Sequence, residues 1–161
     1  MWVHKNTFAI GGLENIGYSP NSDYLIVLSS QGQGIFNCEK GEKTARNYDD
    51  WWDNFNEEDN TVKGSGIFEN KIISTCGLYG DDNLPKVTSG GWSLEITDPE
   101  PDDYPFQQYK VSKIYLLSPD KNEKILVAKD GPCEYRAYGF SPTEKSFVIA
   151  LSCEIVIYAN V

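Results

Sequence analysis

Short runs rich in β-branched and aromatic residues recur along the chain, separated by polar turns. Leu13 to Tyr18, Tyr24 to Ser29 and Gly34 to Asn37 are three such runs, punctuated by Ser19-Pro20-Asn21-Ser22 and by glycines at 32 and 34, and they predict a β meander. Further along, Gly66 to Phe68 and Lys71 to Cys76 flank Glu69-Asn70 as the arms of a tight hairpin, and Gly64-Ser65-Gly66 reads as the start of a strand. Trp92 to Ile96 alternates apolar and polar residues, the pattern of a strand with one packed face. Val111 to Leu117 and Lys124 to Lys129 stand on either side of Ser118-Pro119-Asp120-Lys121-Asn122-Glu123, another Ser-Pro turn. Proline presets its own φ and biases the preceding residue away from helix, so each Ser-Pro marks a chain reversal.

Two of these units are copies. Gly17-Tyr18-Ser19-Pro20 with Leu25 to Leu28 aligns without a gap on Gly139-Phe140-Ser141-Pro142 with Phe147 to Ala150, at a fixed offset of 122 residues. Ser30 then falls on Ser152, and Ile35-Phe36 on Ile157-Tyr158. Repeat-like units therefore span 13–45 and 135–159 of what reads as a single domain over 1–161. Tyr18, Tyr24, Phe36, Phe140, Phe147 and Tyr158 lie on their strands and are assigned to the core, as is Trp92.

Two stretches break the pattern. Tyr48 to Asn60 is aromatic and acidic, and Trp51, Trp52 and Phe55 have the spacing of one side of a short helix, with Asp49, Asp53 and Glu57 beside them. Asp98 to Phe106 carries three prolines and four carboxylates, which predicts an extended solvated loop. The expected fold class is mainly β, with antiparallel sheets in an incomplete propeller-like or sandwich arrangement and at most one or two short helices.

Composition narrows the function. The chain has 161 residues, 40% hydrophobic and 13% aromatic, enough for a real core. Its 24 acidic against 14 basic residues leave a formal charge of −10, which repels phosphate backbones and anionic lipid and attracts basic partners. No direct nucleic-acid or membrane partner is expected. Nothing in Met1 to Asn6 has the features of a secretory signal, which points to the cytoplasm. Cys38, Cys76, Cys133 and Cys153 are dispersed and are read as reduced, structural residues, a disulfide being the minority alternative.

The Phe140-Ser141-Pro142 unit, with its apolar strand and Glu154-Ile155-Val156-Ile157-Tyr158, resembles a blade of the WD-repeat propeller class. Residues 16–42 match the same text, ending in Glu39-Lys40-Gly41-Glu42. Residues 46–110 do not continue it, and closed propellers use four or more blades. The whole chain also resembles bacterial immunity proteins of contact-dependent growth inhibition systems. That likeness lies in its small size, strong acidity, Trp51-Trp52 segment, the stretch Gly77 to Pro85 and the lack of a catalytic constellation. The resemblance implies a dedicated inhibitor of a cognate toxin, commonly a nuclease.

For catalysis the chain offers little. Its single histidine, His4, lies in an N-terminal segment expected to be mobile, and no Gly-rich phosphate loop or His/Cys metal spacing occurs. Asp81-Asp82-Asn83 and Asp49 to Asp59 lack the alternating ligand spacing of a calcium loop. No enzyme activity, cofactor or metal is expected; a carboxylate-dependent hydrolase and a WD-repeat-like interaction module remain alternatives. For binding, carboxylates can stand where a nuclease's substrate phosphates would lie, and aromatic anchors supply lasting affinity. The expected partner is a basic toxin domain, an RNase or DNase, bound 1:1 by a free monomer that blocks its active-site cleft. The candidate contacts are Asp49, Asp50, Trp51, Trp52, Asp53, Phe55, Glu57, Glu58, Asp81, Asp82, Asp98, Glu100, Asp102, Asp103 and Tyr104. Trp51 and Phe55 have an alternative role, docking their segment on the sheets. Arg46 and Arg136, the only arginines, are read as internal ion-pair partners.

Overall fold

The computed structural model describes residues 1–102 and 110–161. The first five strands are β1 (Trp2–Ala9), β2 (Leu13–Tyr18), β3 (Tyr24–Ser29), β4 (Gly32–Asn37) and β5 (Glu42–Asn47). Short strands β6 (Phe55–Asn56), β7 (Thr61–Lys63), β8 (Ile72–Ser74) and β9 (Cys76–Gly77) occupy the middle. Next come β10 (Ser93–Ile96), β11 (Glu100–Pro101), β12 (Lys110–Val111), β13 (Lys113–Leu117) and β14 (Lys124–Lys129). The chain ends with β15 (Tyr135–Phe140), β16 (Ser146–Leu151) and β17 (Glu154–Asn160). Among the described residues the only helical elements are two 3₁₀ turns, Trp52–Asn54 and Gly66–Phe68. None is long and apolar enough to cross a membrane.

All pairing between strands is antiparallel. The sheets run β5-β4-β3-β2-β9, β1-β17-β16-β15, β6-β7-β8 and β10-β13-β14, with β11-β12 as a separate pair, and none closes into a barrel. The fold is thus mainly β and open. The two repeat units form the second to fourth positions of the β2–β5 sheet and of the sheet closed by β1: β2, β3 and β4 correspond to β15, β16 and β17.

Three apolar clusters order the sheets. Leu25 and Val27 of β3 meet Val148 and Ala150 of β16 between the two repeat sheets. The alternate residues of β3, Ile26 and Leu28, face Val62 and Ile73 of the β6–β8 sheet, and those of β16, Phe147, Ile149 and Leu151, face Ile114, Leu116 and Val127. Both repeat sheets are therefore covered on both faces. This is why Tyr24 to Leu28 and Phe147 to Leu151 are continuous apolar runs rather than alternating ones. The flanking sheets are covered on one face, so on β14 Val127 is buried while its neighbour Leu126 is exposed.

Polar bonds fix the two repeats against each other. The buried Asp23 carboxylate, from the turn of the first repeat, accepts from Ser146 Oγ at 2.5 Å and from Thr143 Oγ1 in the turn of the second. Burying a charge is tolerable when its oxygens are matched by donors, and here both are. All three Ser-Pro turns close as expected, with Ser19, Ser118 and Ser141 N–H donating to the carbonyls of Tyr24, Glu123 and Ser146.

Several expectations require correction. The N-terminal segment is a strand on the edge of the last repeat sheet: β1 pairs with β17, and the Met1 amino group donates to the Val161 carbonyl at 2.7 Å. His4 there bonds Thr7 Oγ1 at 2.9 Å and packs on Tyr158. The hairpin around Glu69-Asn70 is displaced: Gly66–Phe68 is a 3₁₀ turn, and the paired strands are β7 and β8. Gly66 at φ +60° and Asn70 at φ +65° take the left-handed conformation, which turns the chain before pairing can start. The loop from Asp98 is exposed through Pro101, as expected, but is not wholly irregular, since Glu100–Pro101 pairs with Lys110–Val111.

Cys38 and Cys76 are free and buried, as expected, and burial pushes both thiols up. Cys133 and Cys153, read as reduced, instead form a disulfide with Cα atoms 5.9 Å apart. It ties the approach to β15 to the β16–β17 turn, where Glu134 and Ser152 also exchange main-chain and side-chain hydrogen bonds. Closing this loop of about 20 residues restricts the unfolded chain by about 3 kcal/mol. Urea unfolding of the Cys133→Ser/Cys153→Ser double variant is expected to show a loss of that size with a steeper slope, because the unfolded chain becomes less compact; an unaltered midpoint and slope would mean that the bond is idle.

Candidate partner-binding face

The segment after β5 carries the densest group of predicted contacts. It does not form the expected helix with a shared aromatic side. One 3₁₀ turn, Trp52–Asn54, leads directly into β6. The rings still converge, but with unequal exposure. Trp51 is 1% exposed, and its indole N–H donates to the Ser29 carbonyl at 2.8 Å. It belongs to the core beside Ile26, Leu28 and Phe68 and is not a contact residue, which corrects its inclusion above. The two indoles lie one over the other, and the inner one, Trp51, fills the apolar space beside β3 and β4. Phe55 is half-buried against the same cluster.

Trp52 is left outside. It is 37% exposed and stacks on Trp51 with centroids 4.4 Å apart and planes 22° from parallel. Phe55 and Tyr79 meet it edge-on at 5.5 and 5.1 Å. The position of Tyr79 comes from a buried asparagine on β2. Asn15 accepts from the Tyr79 N–H at 3.0 Å and donates to its carbonyl at 2.9 Å and to Thr75 Oγ1 at 3.1 Å. A rigid core thus holds Trp52 on three sides and presents its remaining surface to solvent.

Carboxylates flank that residue along the chain. Asp49, Asp50, Asp53, Glu57, Glu58 and Asp59 are all exposed, and among the described residues none forms a salt bridge. Asp50 and Asp59 bond only their own turns, to the N–H groups of Trp52 and Thr61. Beneath them a groove of about 350 Å³ is lined by Glu14, Ser29, Ser30, Gly32, Tyr48, Asp50, Trp51 and Trp52. Glu14 Oε2 is buried there without a hydrogen-bond partner, and desolvation, partly offset by Arg136 and reinforced by Asp50, holds this carboxyl above its ordinary value.

The other predicted residues lie elsewhere. Asp82 is an internal group: it pairs with Lys86 at 2.9 Å and accepts from the Tyr138 N–H at 3.0 Å, so it is not a free contact. Asp81 beside it is exposed. Asp98, Glu100 and Asp102 belong to the β10–β13 connection, on the far side of the stack, where Asp102 pairs with Lys129 at 3.1 Å. Asp103 and Tyr104 lie outside the described residues. The candidates therefore form one face around Trp52 and two separate groups. Of the arginines, Arg136 pairs with Glu134 at 3.2 Å as expected, whereas Arg46 has no carboxylate partner among the described residues and lies 4.3 Å from the centre of the Tyr48 ring.

Glu14, Tyr48 and Tyr79 are absent from the predicted set. Glu14 carried a signal, being a lone charge in the strand run Leu13-Glu14-Asn15-Ile16; Tyr79 carried none, since its place depends on Asn15, distant in sequence. Among the described residues no group of three or more His, Cys, Asp and Glu could hold a metal ion. Comparison with protein-family models, with curated proteins and with solved structures finds no match.

The unequal burial of the two tryptophans is measurable. Trp51→Ala is expected to cost about 3–5 kcal/mol in urea unfolding, and Trp52→Ala about 1 kcal/mol. Equal losses would refute the division. For Glu14 the folded state holds its proton to higher pH than the unfolded chain does. In the window between the ordinary and raised values the native state therefore binds more protons, and stability falls as pH rises through it. Glu14→Gln should be at least as stable as the natural chain at pH 7, with the advantage shrinking on acidification; a less stable variant at pH 7 would show that the carboxylate is favourably held.

Proposed function

We propose that this chain is an immunity-type inhibitor that binds a basic toxin domain, a nuclease in the leading case, through the Trp52 face. One observation carries the reading: an exposed indole, backed by a sealed one, stands in a segment whose exposed carboxylates form no salt bridge among the described residues. A field of unpaired negative charge draws a cationic protein in quickly, and a rigid aromatic anchor that loses little entropy on binding supplies residence time. Charge of this sign opposes binding to nucleic acid itself, so blocking a nuclease means occupying its phosphate-binding cleft. The complex is 1:1, no turnover belongs to this chain, and its place is the cytoplasm, where such toxins meet their substrates.

The Cys133–Cys153 disulfide favours a second reading of the compartment. Structural disulfides persist where the surroundings are oxidising and are rare in a reducing cytoplasm. Counting free thiols in protein taken from its native cells separates the two: four thiols support the cytoplasm, two an oxidising compartment.

The function is tested with the basic polypeptide encoded beside this chain's gene, by stopped-flow and surface-based kinetics. The association rate is expected to fall at least tenfold between low and moderate salt. Trp52→Ala is expected to shorten the lifetime by a factor of ten or more, in line with an anchor worth about 2 kcal/mol. Salt-independent association together with an unchanged lifetime overturns the proposal. Binding of several unrelated peptides would favour a WD-repeat-like interaction module, and turnover abolished by a single Asp or Glu replacement would favour a hydrolase.

A further inference from the structure

We propose that the groove between Glu14, Asp50, Tyr48 and Trp52 is a receptor for one guanidinium group, an arginine side chain of the partner protein. The inference rests on the partner-binding reading above and assigns the chemistry of its central anchor.

Glu14 is fixed from beneath. Its strand, β2, is hydrogen-bonded to β3 on one side and β9 on the other, and the Leu78 N–H donates to its carbonyl at 2.8 Å. Its Oε2 is buried and lacks a donor, and Asp50 places a second negative charge beside it. Arg136 is the cation that moderates this charge, but its Nε is engaged by the Leu13 carbonyl at 3.0 Å and its Nη1 by Glu134 at 3.2 Å. Arg136 partly balances the charge, and Glu14 lines the groove together with Asp50, Tyr48 and Trp52. Above lie two aromatic surfaces, Trp52 and the 75% exposed Tyr48.

The occupant must bring positive charge, several N–H donors and a flat face. A guanidinium has all three: five donors in a planar fork and a surface that stacks on indole or phenol. Ammonium offers a point charge without the flat face. A divalent ion such as calcium needs six or more oxygens, and no such carboxylate group exists among the described residues. The molecule already shows the preferred contact at the rim of this groove, where Arg46 lies over the Tyr48 ring at 4.3 Å. A groove of about 350 Å³ accommodates an arginine side chain with its alkyl stem.

The probes are the blocked amides of arginine, lysine and citrulline, the last an uncharged isostere of arginine, titrated into the ¹⁵N-labelled full chain. The arginine amide is expected to shift the Glu14, Asp50 and Trp52 signals, including the indole N–H, with saturation near about 1–10 mM. Lysine amide should bind at least threefold more weakly, and citrulline amide should leave these signals unmoved. Glu14→Gln should weaken arginine binding at least fivefold, with Asp50→Asn as the second variant, whereas Glu123→Gln, outside the groove, should not alter it. Equal binding of arginine and citrulline, full arginine binding after both groove substitutions, or shifts spread over the acidic surface would each overturn the assignment. The two proposals fail separately: a salt-dependent toxin complex with no arginine response sinks only the groove, and a specific arginine response with no basic partner sinks only the inhibitor reading.

Discussion

Strands β3 and β16 are apolar on both faces, and a strand of that kind must lie inside, with another layer on each side. Two such strands in one small chain require four layers in series, because each repeat sheet can cover only one face of the other. The remaining faces go to the short β6–β8 sheet and to β10-β13-β14. Asp23 then fixes the relative position of the two middle sheets. Its two oxygens take hydroxyl donors from the opposite turn, and an apolar contact surface alone would tolerate sliding that this bond does not. The chain ends meet for the same reason: β17 needs a fourth strand beside it, and β1 supplies it.

Sequence pattern reveals those parts whose cause is local. Continuous apolar runs, Ser-Pro reversals and the 122-residue repeat located seven of the longer strands and the layered β architecture, because burial on both faces and turn geometry are written in neighbouring residues. What stayed hidden depends on partners far along the chain. Trp2 to Ala9 has no apolar run and is a strand only because β17 offers a free edge. Cys133 and Cys153 face one another because β15 and β16 form a hairpin, a closeness that spacing does not encode. Phe68 and Lys71 were read as hairpin arms, but the left-handed residues Gly66 and Asn70 make that segment a turn.

The acidic aromatic segment was legible in composition and illegible in orientation. That carboxylates and rings cluster between Tyr48 and Asn60 is plain from the residues. Which tryptophan would be sealed depended on whether the segment coiled into a helix. A helix would have placed Trp51, Trp52 and Phe55 side by side, whereas the single 3₁₀ turn keeps the rings in contact but sets Trp51 inside and Trp52 outside. Asp82 illustrates the converse: a residue that reads as a free loop acid is held by Lys86 and the Tyr138 N–H, and the loop is shaped around it.

Division of the tryptophans matters for any binding role because anchoring and exposure make opposite demands. A fully exposed ring is mobile and loses entropy on docking, and a fully buried one contacts nothing. Trp52 avoids both, since its stack on Trp51 fixes one face while the other stays open, and Trp51 is in turn locked by a hydrogen bond to β3. The carboxylates of its segment add a second asymmetry. Among the described residues the loop acids form no salt bridge, and the Glu14 carboxyl is held above its ordinary value by desolvation, partly offset by Arg136 and reinforced by Asp50. On the proposed reading, an arriving cation would supply a donor to the acceptor that lacks one. Glu14, held on a strand paired on both sides, is for that reason where the proposed cationic anchor would sit, in preference to the exposed acids of the loop.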